Sequence, residues 1–260
     1  MTAEQFFSAQ RELATVEHEM RTASAIQATL LPAGPPPVRD LDIAVRYEPM
    51  RKIGGDMYDF MAENRRAGVL VADVTGHGVP AALIAAMAKV AFASQSREAT
   101  RPGQLIAGMN RMLSGHLEGQ FITATYVHVD AASGLVRYAS AGHPPPLLWR
   151  AATREVFALH DGGLLVGFDP DASYATGEVS VARGDRLVAY TDGVIEAPDG
   201  RGDFFGIEGL SAFVASRGGL AADELADALL THLRERTGGC LRTLGHVRAP
   251  GADGRVAGES

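Results

Sequence analysis

The stretch VLVADVTGHGVPAALIAA, Val69 to Ala86, decides the fold. An apolar run enters a Thr-Gly turn and leaves as an Ala-rich helix. Pro80 sits at the first helical position, where its fixed φ suits the helix and its missing N–H costs nothing. Gly76, Gly78 and Ala81 fit the G-x-G-x-x-A of a dinucleotide phosphate loop, whereas Asp73 would place a carboxylate at the rim of a sheet, beside glycines that let backbone carbonyls approach an ion. The nucleotide reading requires a second parallel strand after the helix, closing on an acid about 20 residues on. Here Lys89 to Glu98 runs through ATRPG into another helix, so that strand is missing. The metal reading needs partners for Asp73, because a lone Asp at such a place is ordinarily a turn former or an N-cap.

Partners stand on either side. IGGDMYDF brings Asp56 and Asp59 after a Gly-Gly pair, and LVAYTDGVIEA brings Asp192 after an apolar strand, again followed by glycine. Strand-end, glycine-flanked acids of this kind supply hard oxygen donors, which select Mg²⁺ or Mn²⁺. Clustered without cations they would repel one another and hold their protons more tightly. His77 and His143 lie in the same motifs; the expected role of His77 is that of a polar turn residue and that of His143 is to hold the turn of SAGHPPPLL, ahead of a role as leaving-group acid. Thr123 and Thr125 read as β-propensity choices.

Further out, DIAVRYEP, AGVLVADV, FITATYVHVD, GLVRYASAGH, PPLLWR, EVSVA and DRLVAY read as short strands, several alternating apolar with polar residues. Helical patterns interrupt them at 79–97, 102–118, 207–217 and 221–236. Strands cluster without a helix between each pair, so the pattern is not a repeating βαβ unit. The expectation is an α+β fold, an αββα sandwich of two antiparallel sheets flanked by helices.

At the N-terminus a heptad seam runs through Phe6, Leu13, Met20 and Gln27 in one row and Ala9, Val16, Ala23 and Leu30 in the other. It predicts a helix over 1–31, expected to pair two chains as a homodimer, before prolines between Pro32 and Pro37 form a hinge. A single domain over 38–237 and a disordered tail over 238–260 complete the expected organisation. Acids outnumber bases 31 to 24, which argues against nucleic-acid binding. No apolar run reaches membrane-spanning length and no signal peptide is legible, so a cytoplasmic protein without a membrane partner is expected. A single cysteine, Cys240, excludes an intramolecular disulfide and a thiolate zinc cluster.

VRYEPMRKIGGDMYDF, VADVTGHGVPAALIAAMAK, FITATYVHVDAASGLVRYASAGHPPPLL and LVAYTDGVIEA resemble, in order, the motifs of the metal-dependent serine/threonine protein phosphatases, the PPM or type-2C superfamily, in its SpoIIE-like bacterial branch. AIQATLLPAGPPP is similar to the segment preceding the catalytic domain there. The resemblance implies two Mn²⁺ or Mg²⁺ ions between two sheets and a metal-activated water that attacks phosphorus. Asp73 matches the bridging carboxylate, the Val74 carbonyl a ligand of the first ion, Asp192 a ligand of the second, and Asp56 an acid acting mostly through bound water. The implied substrate is phosphoserine or phosphothreonine on a regulatory protein, of the anti-sigma-factor antagonist type.

One part of the pattern breaks. The superfamily closes on an Asp-Asp pair entering a last apolar strand, where this chain has ERTGGCLRTLGHVRAPGADGRVAGES, with Asp253 and Glu259 its only acids after Thr237. That puts the second ion in question and raises an alternative, a pseudophosphatase that regulates by binding.

Overall fold

The computed structural model describes Gln5, Thr15, 21–48, 54–238 and 244–249, the last stretch by its backbone alone. Two antiparallel sheets face each other. One has the order β1 (Ala44–Glu48), β10 (Leu244–Ala249), β9 (Arg186–Tyr190), β6 (Leu147–Trp149), β7 (Val156–Ala158). The other runs β2 (Met57–Glu63), β3 (Arg66–Val74), β4 (Ile122–Asp130), β5 (Leu135–Ala141), β8 (Gly177–Ser180).

The period of two along each strand explains the layering. Leu70, Ala72 and Val74 of β3 and Ile122, Ala124 and Tyr126 of β4 pack outward, against α2 (Val79–Ser94) and α3 (Pro102–Leu113). The alternate residues point inward: Val69 and Val71 meet Ala189 of β9, while Val127 and Val129 meet Leu148 and Leu187. On the other sheet, Leu147, Trp149, Val188 and Tyr190 turn outward against α5 (Gly206–Arg217) and α6 (Ala222–Arg236). The order of layers is therefore helix, sheet, sheet, helix, as the sequence predicts.

Individual contacts fix the outer layers. The α2 face toward its sheet is alanine-rich, with Ala81, Ala85, Ala88 and Ala91 buried, so the helix lies close to the strands. Asn110 of α3 is wholly buried; its amide donates to the Asp169 carbonyl at 2.7 Å and its Oδ1 accepts from Gly167 N–H at 2.7 Å, tying the 166–176 loop down. Arg46 of β1 forms a fork on Asp227 and reaches Asp223, which seats α6 on the edge of its sheet.

The expected strands and helices lie near their predicted places, but helix 79–97 ends at Ser94, helix 102–118 ends at Leu113, and three strands and the four-residue helix Asp192–Ile195 depart from the sequence reading. β2 and β7 were not expected. β10 corrects the expectation of a tail without a β-run: Leu244–Ala249 pairs with β1, Ala44 opposite Arg248, and with β9, Tyr190 opposite His246. The slot between β1 and β9 exposes backbone N–H and C=O groups on both sides, and a strand with few apolar residues satisfies them. Residues 250–260, with Asp253 and Glu259, lie outside the described residues, as do Phe6, Ala9, Leu13, Val16 and Met20 of the heptad seam.

Helix 21–30, here α1, ends at the prolines as expected. Gln27, the polar interruption of the seam, has a role: its side-chain amide donates to the Gly54 carbonyl at 2.6 Å and its Oε1 accepts from Gly54 N–H at 3.2 Å. The Tyr58 hydroxyl donates to the Pro32 carbonyl at 3.0 Å. Among the described residues no helix is long and apolar enough to cross a membrane.

Candidate metal centre

Asp56, Asp73 and Asp192 lie within electrostatic reach of one another at one end of the sandwich. In the β2–β3 ladder Met57 stands opposite Ala72, so the residue before the one and the residue after the other, Asp56 and Asp73, come together at the sheet rim. Asp73 shares the inward-facing side of β3 with Val69 and Val71, which places its carboxylate between the sheets. Asp192 arrives from the opposite sheet, opening the short helix α4 (Asp192–Ile195) directly after β9 and Thr191.

The electrostatics record their proximity. Asp56 is 3% exposed and holds its proton well above the ordinary carboxylate range, through burial first, then the charges of Asp73 and Asp192 and a hydrogen bond with Asp73. Asp73 is pushed up to about 6 by burial, then by Asp192, with Glu196 adding; its hydrogen bonds with Asp56 and the Val74 backbone N–H work against the rise. With both acids ionised they are acceptors only, and neither Asp56 oxygen then has a hydrogen-bond donor. A single proton on Asp56, donated to Asp73, relieves the pair in the absence of a cation.

Gly55 makes the approach feasible. A Cβ there would stand 2.5 Å from the Val74 carbonyl oxygen and 3.1 Å from Asp73 Oδ1, so only glycine lets that carbonyl and carboxylate crowd the same point. The Val74 N–H donates to the Gly55 carbonyl at 3.4 Å, and the Tyr47 hydroxyl donates to the Asp56 carbonyl at 3.2 Å. Asp56 and Asp73 raise the Tyr47 hydroxyl further, after burial.

These donors fit a hard divalent cation: buried carboxylate oxygens without donors and a backbone carbonyl beside them. Among the described residues no group of three His, Cys, Asp or Glu side chains is already placed to hold a metal ion.

The other sequence candidates fall elsewhere. Asp59 belongs to the outward-facing set of β2 and accepts from Lys89 of α2 at 2.6 Å, so it pairs a helix to a sheet rather than joining the centre. His77 is exposed in the turn before α2. His143 is buried with both ring nitrogens engaged, Nδ1 at 2.8 Å from Thr123 Oγ1 and Nε2 at 2.9 Å from the Tyr190 carbonyl oxygen. Thr123 thus does more than favour a strand. Thr125 donates to the Ala139 carbonyl at 3.3 Å.

Glu196 was missed. It lies four residues after Asp192, its N–H donating to the Asp192 carbonyl at 2.8 Å, and its carboxyl is raised by burial and then by Asp192. The signal available was the i, i+4 spacing in DGVIE, legible only once a helical turn is assigned there.

The sequence profile of the family described as "Stage II sporulation protein E (SpoIIE)" matches residues 63–242. Phosphoserine phosphatase RsbU of Bacillus subtilis (strain 168) is 31% identical over 182 residues, covering 70% of this chain and 54% of its own length. The chain therefore spans about half the length of that relative. The solved SiaA-PP2C domain of Pseudomonas aeruginosa superposes with a TM-score of 0.79 at 23% identity, over 95% of this chain and 98% of its own. The RsbU and RsbW domains of Rv1364c from Mycobacterium tuberculosis give 0.75 at 26% identity, over 86% and 63%.

Proposed function

Because the chain belongs to the SpoIIE family, we propose that it is a protein phosphatase that hydrolyses phosphoserine or phosphothreonine on a regulatory protein of the anti-sigma-factor antagonist type. The observation that carries this reading is Asp56, buried with two oxygens lacking donors, against Asp73 and within the field of Asp192. Such an arrangement is costly as it stands and becomes favourable around a cation. The similarity to RsbU, a phosphoserine phosphatase, supports the substrate class.

In this reading Asp73 and the Val74 carbonyl would hold one Mn²⁺ or Mg²⁺ and Asp192 the second, and Asp56 would act through bound water. Bound there, the ions lower the pKa of water and neutralise charge on the phosphoryl oxygens. Gly55 keeps the carbonyl within reach, and the exposed Thr75–His77 turn leaves the rim open to a phosphorylated side chain. The surrounding acids repel an unaccompanied phosphate, so substrate binding depends on the cations.

The test is phosphate release from a phosphoserine protein. Turnover is expected to require Mn²⁺ and to fall by more than about 10²-fold in Asp73→Ala, since the lost interaction is one of several kcal/mol. Undiminished turnover in that variant removes the mechanism. The run from Thr237 to Ala249, which carries no acid, favours one alternative, a pseudophosphatase that docks its partner without turnover. Tight partner binding with no phosphate release at millimolar Mn²⁺ distinguishes it. The heptad seam supports a homodimer through the N-terminal helix, and Leu13→Asp is then expected to sediment as a monomer.

A further inference from the structure

We infer that Thr123 and His143 form a positioning latch that holds the Asp73 half of the centre in register with the Asp192 half. The inference rests on the metal-dependent reading above. The two halves belong to different sheets, and their acids repel each other until a cation arrives. Something must hold the sheets together at that end.

The hydrogen bonds run from one half to the other with a fixed direction. Tyr190 presents a carbonyl, which only accepts, so the proton of the imidazole sits on Nε2 and is donated across 2.9 Å. Nδ1 is then the acceptor, and the Thr123 hydroxyl donates to it across 2.8 Å. Thr123 pairs directly with Asp73 in the β3–β4 ladder, so the two side chains share the inward face. Tyr190 lies two residues before Asp192, on the last residue of β9. The latch therefore connects a neighbour of one ligand to the strand end that delivers the other.

The backbone of His143 is held as well. Ser140 Oγ accepts from the His143 N–H at 3.3 Å and donates to the His143 carbonyl at 3.2 Å. Gly142 supplies the left-handed turn before it, with φ of 66°, where a Cβ would run into Leu165. With both nitrogens occupied and the ring buried, no N–H remains to protonate a leaving group. His143 is a positioning residue, not an acid of the reaction.

The test uses the full chain and Mn²⁺ alone, titrated by calorimetry, with thermal unfolding measured with and without the ion. Thr123→Val keeps the shape and removes the donor; it is expected to weaken Mn²⁺ binding about 10- to 100-fold, the usual effect of losing a partner behind a metal ligand. Thr123→Ser restores the hydroxyl and is expected to bind within about twofold of the unsubstituted protein, on the same basis. His143→Gln serves as a second variant and is expected to lose affinity as Thr123→Val does. The metal-induced rise in Tm shrinks accordingly in both. Mn²⁺ binding by Thr123→Val as tight as in the unsubstituted protein, or an equal loss in Thr123→Ser, overturns the latch while leaving the phosphatase reading intact. Absence of Mn²⁺ binding by the unsubstituted protein removes the metal centre, and the latch with it.

Discussion

At residue 55 the limit is space rather than backbone freedom, since the carbonyl of Val74 and the carboxylate of Asp73 leave no room for a methyl group. Neither neighbour is the yielding end of a long side chain. Gly55→Ala is therefore expected to cost about 1–3 kcal/mol, the range for forcing a methyl into a packed site, and to weaken Mn²⁺ binding at the same time. Urea unfolding with and without the ion separates the two effects. At residue 143 the matter is a proton. Burial holds the His143 ring down to about 4, the Tyr190 carbonyl opposing, whereas an unfolded histidine titrates near 6.5. The unfolded chain thus binds the proton first as pH falls, so this contribution is complete above 6.5 and disappears as pH falls through about 4. It amounts to about 3 kcal/mol. Subtracting the stability profile of His143→Gln from that of the unsubstituted protein between pH 7 and 4 should expose this slope, because the acids of the centre contribute to both. The three principal acids were legible because each stands at a strand end beside glycine. The His143 latch was not, because its partners are a threonine 20 residues away and a carbonyl 47 away.

Among the elements, the strands that alternate cleanly or form long apolar runs were legible, and those that do neither were not. β2 has Met57, Asp59 and Met61 on one face and Tyr58 and Phe60 on the other, so no apolar–polar period shows. Its sense appears only with α2 in place, where Lys89 pairs with Asp59 across the helix–sheet contact. β7 has three residues and lies at a sheet edge; β10 is a strand by its backbone pairing, with little in LGHVRA to announce it. The pairing of α2 to β2 carries its own prediction. Lys89→Ala leaves a largely buried Asp59 carboxylate without its cation and should destabilise the protein by about 1–3 kcal/mol. Asp59→Asn in the same background should recover part of that loss, since the uncompensated charge is then gone. A double-mutant cycle by denaturant unfolding measures the coupling, and strictly additive effects of the two substitutions would show that the pair contributes nothing.

For the whole molecule, the proposed ligands stand on two facing sheets, so a cation held by them would clamp the interface and link metal binding to global stability. Without a cation, the raised proton affinity of Asp73 favours the folded state below the unfolded carboxylate value of 3.8, and that contribution is lost as pH rises through about 6. Asp56, raised by burial and by the charges of Asp73 and Asp192, acts in the same direction. A cation competes with those protons, so its stabilising effect should grow over the same interval. The quantity to measure is the rise in Tm on adding Mn²⁺ at fixed excess, from pH 5 to pH 7.5; taking the difference at each pH cancels the opposite slope of His143. At 100 times the Kd the ion contributes about 2.7 kcal/mol, which for a domain of this size shifts Tm by about 5–10 °C. A metal-induced rise that grows with pH matches carboxylates releasing protons to a cation between the sheets. A rise that stays constant over that interval means that Mn²⁺ binds where no proton is displaced, and hence away from Asp56 and Asp73.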